Sequence, residues 1–109
     1  MSRADDIEEV QRQDILLTEA MLGYDILVAG ERAGNIEGIP GQLEYIEIRP
    51  YWEGKGVARA AVNAFIELSQ AHGHSTLTTN NAVHPAMEYI LETEGFEERS
   101  DDIGWIKEI

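Results

Sequence analysis

Cysteine does not occur in this 109-residue sequence. Its absence excludes a disulfide framework, a thiolate zinc site and a cysteine nucleophile. Lysine is nearly absent too. Lys55 and Lys107 stand with six arginines against 21 acidic residues, giving a net charge of −13. A surface this acidic repels nucleic acid, which discounts DNA and RNA as partners, and attracts cationic ones, amines among them. The same balance resembles that of salt-adapted proteins. No apolar run reaches 18 residues, so no membrane-spanning segment is expected. The start, MSRADDIEEV, places no apolar stretch behind a basic residue; no signal peptide is expected, and a cytoplasmic location is the default. Repeats, linkers and low-complexity segments are also missing. What is present, 43% hydrophobic and 27% charged residues, is a globular mix sized for one domain with one core over residues 1–109.

The apolar spacing predicts the elements. Residues 5–22 read as helix, with Ile7, Val10, Leu17 and Met21 in one stripe. Asp14 falls in that stripe, and a lone carboxylate does not belong in a buried face, so a break is expected there, with Asp14 capping a helix over 15–22 that Gly23 stops. Three antiparallel strands come next at 24–29, 35–39 and 42–48, with GERAG and Pro40–Gly41 supplying the turns. Alternation along the third strand places Gln42, Glu44, Ile46 and Ile48 on one face and Leu43, Tyr45 and Glu47 on the other. Residues 56–72 form a helix whose stripe is Val57, Ala61, Phe65, Leu68 and His72. A strand over 75–79, a helix from Pro85 to Glu94 and a closing hairpin of 96–99 with 103–108 complete the order.

Between the third strand and the long helix lies RPYWEGKGVARAAVNAF, where Gly54 and Gly56 bracket Lys55. A helix start presents unpaired N–H groups and the positive end of the dipole, and glycine lets the backbone approach a ligand closely. Phosphate is the ligand such a loop suits; taken alone, the loop also has an ordinary reading as a strand-to-helix turn with helix-packing glycines. The G-K-[ST] ending of a Walker loop is missing, as is the third glycine of the dinucleotide fingerprint.

The run Glu53-Gly54-Lys55-Gly56-Val57-Ala58 resembles motif A, [QR]-x-x-G-x-[GA], of the GNAT superfamily of acyl-CoA N-acyltransferases. GERAGNIEGI is similar to the strand-turn-strand before that motif, and HPAMEYILETEGFEE to motif B after it, so the resemblance covers roughly residues 22–109. It implies an α+β fold with a mixed, mainly antiparallel sheet flanked by helices, shortened in its N-terminal part. It also implies an N-acetyltransferase that moves an acetyl group from acetyl-CoA, as cosubstrate, to an amine of a small molecule or protein. In that family the loop amides hold the cofactor diphosphate. Carried over, these are the amides of Gly54, Lys55, Gly56, Val57, Ala58 and Arg59, while the backbone of Ile46 and Ile48 lies along the pantetheine arm.

The sequence departs from the family at three places. Glu53 stands where glutamine or arginine is usual and sets a carboxylate beside the diphosphate. In motif B the asparagine position is His84, the alanine Met87 and the tyrosine Leu91. That tyrosine often protonates the leaving thiolate; leucine cannot, and Tyr89 lies about 200° round the helix from it. Only one helix precedes the strand-turn-strand, so a second subunit is expected to complete the acceptor side, with Tyr51, Trp52, Trp105 and the 5–22 helix as contacts of a homodimer.

Acyl transfer to an amine needs a base working near neutrality. Glu44, on the strand before motif A, is the first candidate. His84 is the second, because histidine changes charge near pH 7. Each also has an ordinary structural reading, as a strand-surface glutamate and a helix N-terminal residue. His72 and His74 suit a helix C-terminus better than a metal pair, and no metal-ligand spacing stands out. The alternative function is a GNAT-like module with weak turnover that binds a CoA ester or a protein partner.

Overall fold

The computed structural model describes residues 8–80, 85–99 and 104–109. Its elements are β1 (Ile15–Ala20), β2 (Gly23–Val28), β3 (Glu31–Ile39), β4 (Gln42–Ile48), α1 (Val57–Ala71), β5 (Thr76–Thr79), α2 (Pro85–Thr93), β6 (Glu97–Glu98) and β7 (Trp105–Glu108). The seven strands form one sheet in the order β1-β2-β3-β4-β5-β7-β6. Every neighbouring pair is antiparallel except β4 with β5. The expected mixed, mainly antiparallel sheet flanked by helices is therefore present. No helix among the described residues is long and apolar enough to cross a membrane.

The N-terminal quarter corrects the sequence reading. Of the helix expected over 5–22, residues 5–7 lie outside the described residues and 8–11 are not helical. At Asp14, where a break is expected, the carboxylate accepts the Gln11 N–H at 2.9 Å and closes a single 3-10 turn over Arg12–Asp14. Beyond the break the chain is strand, not helix: Ile15–Ala20 pairs residue by residue with β2. Met21 and Leu22 form the hairpin turn, and Met21 is 98% exposed although helical spacing had put it in a buried stripe. The competing effect is long-range. Ile15 is buried in a core shared with α1, and β2 supplies a continuous antiparallel partner, neither of which a local window contains. The next turn is also tighter than expected. It consists of Ala29 and Gly30, both at positive φ, so Glu31–Gly34 belong to β3. The positive-φ pair matches the twist of a two-residue hairpin.

Two one-residue bulges interrupt this antiparallel half. Ala33 is the extra residue of β3, and Glu44 that of β4, since Glu37 faces Tyr45 while Gly38 faces Leu43. A bulge shifts side-chain alternation by one. Leu43, Ile46 and Ile48 thus fall toward the core, and Glu44, Tyr45 and Glu47 are exposed. The strict alternation expected for 42–48 is broken at Glu44.

Helix α1 packs on the sheet through Val57, Ala61 and Phe65, with Leu68 partly buried and His72 exposed past its end. The Phe65 ring meets Tyr24 of β2 edge to face, with centroids 6.0 Å apart. Small side chains, Ala60, Ala61 and Ala64, let the helix lie close to its neighbours. Trp52 and Trp105 are both buried core members and so are not free to serve as subunit contacts. Of the side chains proposed for that role, Tyr51 is exposed.

Candidate functional site

The site begins where the sheet opens. Strands β4 and β5 run parallel but pair only at Gln42 with Thr78 and Leu43 with Thr79. β5 then ends, while β4 continues to Ile48. The β5-side edge of β4 borders a cleft of about 850 Å³. Tyr45, Ile46, Glu47 and Ile48 form one wall. Ala86, Met87, Tyr89 and Ile90 of α2 form the opposite one, and Trp52–Gly54 with Gly56–Arg59 close the end. Because the cleft meets a strand at its edge, residues of both faces border it, which is why four successive positions contribute.

The closing end is built by the glycine loop. Beyond β4, the Arg49 N–H donates to the Ala33 carbonyl at 2.8 Å, and Pro50–Trp52 makes a 3-10 turn that buries Trp52. Gly54 and Gly56 have φ of 76° and 82°. Both values lie in the left-handed region, which glycine occupies without steric penalty. Gly56 is the N-cap of α1 and has no side chain to cap the first turn, and no acidic residue lies in that turn. The positive end of α1 is therefore left for a ligand to meet.

The loop residues named from the sequence divide. Gly54, Gly56, Val57, Ala58 and Arg59 border the cleft, as do Ile46 and Ile48. The Lys55 side chain is half-buried and borders no part of it. Lys55 takes part through its backbone, its carbonyl accepting the Val10 N–H at 2.7 Å.

Arg59 is held from one side. Its Nη1 donates to Thr93 Oγ1 at 2.7 Å and lies 2.8 Å from Glu94 Oε2. The other Glu94 oxygen accepts from Asn63 Nδ2, which also donates to the Arg59 carbonyl. The Tyr89 ring sits 5.7 Å from the guanidinium. Glu53 and Glu47 border the cleft as well, so among the described residues the charged side chains around it are two carboxylates and one arginine already paired to a third.

The two catalytic candidates fare differently. Glu44 is exposed as the extra residue of the β4 bulge and is not among the cleft-lining side chains. His84 lies outside the described residues. Leu91 is fully buried in the core, so it presents neither a proton nor a surface to the cleft, whereas Tyr89 is exposed at the cleft margin. His72 Nδ1 lies 2.9 Å from the Leu68 carbonyl, a helix C-terminal contact that requires the proton on that nitrogen. Among the described residues no group of three side chains could hold a metal. Sequence reasoning missed Tyr45, Glu47, Met87, Tyr89 and Ile90 as cleft walls. Two of them carried a signal, Met87 at the motif B alanine position and Tyr89 as the aromatic nearest the motif B tyrosine position.

No family model matches the sequence, and no curated protein matches it. Among solved structures, the chain superposes on one described as a GCN5-related N-acetyltransferase and class-II aminotransferase from Rhodopseudomonas palustris. The TM-score is 0.63 and the identity 15%, over 79% of this chain and 60% of that one. The chain thus spans about three fifths of the length of its structural neighbour. The likeness establishes a GNAT-like fold.

Proposed function

We propose that this protein is an N-acetyltransferase that takes acetyl-CoA and an amine, of a small molecule or of a protein. The observation that carries the reading is the junction of an opened β4 edge with a glycine loop at the N-terminus of α1. A thioester cofactor has an amide-bearing arm and a diphosphate. A free strand edge matches the first by main-chain hydrogen bonding, and a helix start matches the second. In this reading the backbone of Ile46 and Ile48 lies along pantetheine, and the amides of Gly54, Lys55, Gly56, Val57, Ala58 and Arg59 face the diphosphate.

The amine nitrogen attacks the thioester carbonyl, a C–N bond forms, and the C–S bond breaks as the tetrahedral intermediate collapses. The amine must arrive neutral. Glu44, acting through water from the bulge, is the proposed base, and His84 the second candidate. Leu91 cannot protonate sulfur, so the thiolate leaves as such or takes its proton from solvent.

A second reading has its own support. Glu47 and Glu53 border the cleft, Arg59 is paired to Glu94, and Leu91 replaces the usual acid. These favour a module that binds a CoA ester or a protein partner and turns over slowly. Analysis of the purified protein for retained CoA, followed by thiol release from acetyl-CoA across an amine panel, separates the two. Binding without thiol release for any amine selects the module.

The carboxylate of Glu53 supplies a direct test of where the diphosphate lies. Two unit charges about 4 Å apart interact by about 1 kcal/mol in water and more when partly desolvated. Glu53→Gln removes one of them. Its affinity for CoA, measured by calorimetry, is expected to rise by a few-fold up to about tenfold. Unchanged or poorer affinity would mean that the Glu53 carboxylate points away from the diphosphate or has a structural role.

A further inference from the structure

The segment just before β1 runs along the glycine loop. The Val10 side chain is buried in the main core, and its N–H donates to the Lys55 carbonyl. A Cβ placed on Gly56 would lie 3.5 Å from the Val10 carbonyl oxygen and 3.8 Å from Glu9 Cγ, so residues 9–10 pass directly against Gly56. Two residues on, Arg12 is ion-paired to Glu67 of α1 and donates to the Ile15 carbonyl at 3.3 Å. The strap is thus fixed by a buried side chain at one point and by an ion pair at another.

We infer that this strap sets the orientation of the phosphate-facing loop, with Val10 as a positioning residue that acts through the Lys55–Gly56 peptide. The inference rests on the cleft reading above. A trans peptide is planar and its C=O and N–H point in opposite directions. Holding the Lys55 carbonyl on the strap therefore turns the Gly56 N–H to the other side, where Gly56 borders the cleft. The next carbonyl, that of Gly56, accepts the Ala60 N–H at 3.1 Å inside α1. Both carbonyl oxygens are thereby turned toward donors of the protein and away from an anion. The hold matters because glycines stand on both sides of Lys55. A peptide unit followed by glycine can rotate at little steric cost. Rotated, it would present an oxygen to the diphosphate in place of a donor. Neither motif A nor motif B contains Val10, and the apolar spacing of the N-terminal segment gives no sign of its role.

The test uses two variants and two donors. Val10→Pro removes the N–H, and Val10→Ala keeps it while trimming the packing. Calorimetry measures affinity for CoA, and thiol release measures KM and kcat with acetyl-pantetheine, which lacks the diphosphate. Val10→Pro is expected to bind CoA about tenfold more weakly, equivalent to ~1.4 kcal/mol, with acetyl-pantetheine kinetics unchanged. Val10→Ala is expected to lose stability but keep CoA affinity. If the wild type binds CoA and folded Val10→Pro binds it equally well, the inference is overturned alone. If the wild type binds no CoA, the cleft reading falls and this inference with it. Should Val10→Pro not fold, amide exchange on the wild type decides. CoA saturation is then expected to slow exchange at Val10 by more than at Ile26 in the sheet, because the two equilibria are linked. An equal change at both positions would overturn the strap's role.

Discussion

Replacing Gly56 by aspartate is expected to weaken CoA binding by at least about a hundredfold while leaving the protein folded. The position lies at the mouth of α1 and borders the cleft. The fold has room for the side chain, since nothing lies closer than 3.5 Å to the added Cβ. The backbone conformation, at φ 82°, is one that aspartate tolerates better than most residues. The stability cost should therefore be modest, about 1 kcal/mol. The binding cost is larger. A carboxylate about 4 Å from a phosphate opposes it by about 4 kcal/mol at the effective dielectric near a protein surface, and each 1.4 kcal/mol is about a decade. Gly73→Asp is the control. Gly73 has φ 87° and open space around it, but it sits beyond the opposite end of α1. It shares the backbone strain without the ligand, and its CoA affinity should match the wild type. Calorimetry that finds Gly56→Asp equal to the wild type would show that the loop is not the site.

Phe65→Ala is expected to produce the largest loss of stability. Phe65 is fully buried midway along α1 and meets Tyr24 across the helix–sheet interface. Truncating such a ring costs about 3–5 kcal/mol, from lost transfer energy and from the cavity left behind. Against a total of about 5–15 kcal/mol for a domain, that is a large share. The midpoint of thermal unfolding should fall by about 20 °C, given about 4–8 °C per kcal/mol for a domain of this size. Gln70→Ala, on the exposed side of the same helix, should stay within about 0.5 kcal/mol of the wild type. A drop of only a few degrees for Phe65→Ala would mean that α1 does not anchor the sheet as described.

The parts of the fold that were legible in the sequence are those whose signals are local. Local signals give β4 its observed bounds, because Pro40–Gly41 precedes it and Arg49–Pro50 ends it. α1 was read to within a residue because Gly56 and Gly73 flank a clean apolar stripe. β1 was not legible. Ile7, Val10, Leu17 and Met21 fit a helical stripe, and Gly23 resembles a helix stop. The strand exists because β2 pairs with it and α1 covers Ile15. The bulge at Glu44 was equally hidden, since it is a property of pairing with β3 and leaves no mark on β4 alone. At the site, the glycine loop was legible because the backbone conformation it needs selects glycine at Gly54 and Gly56. The α2 wall was not, because Met87, Tyr89 and Ile90 reach the cleft through the way β4 and β5 part, which is tertiary.

Whether the β4–α1 junction holds the cofactor is decided by an amide-resolved NMR titration of the uniformly labelled protein with acetyl-CoA. Saturable shifts are expected, concentrated at Gly54, Gly56, Val57, Ala58 and Arg59 and along Ile46–Ile48, with the β1–β2 hairpin unmoved. Titration with acetyl-pantetheine should reproduce the β4 shifts and leave the loop amides nearly in place. No shift at the loop amides at millimolar acetyl-CoA, or shifts confined to a surface away from the junction, would show that the cofactor does not bind there.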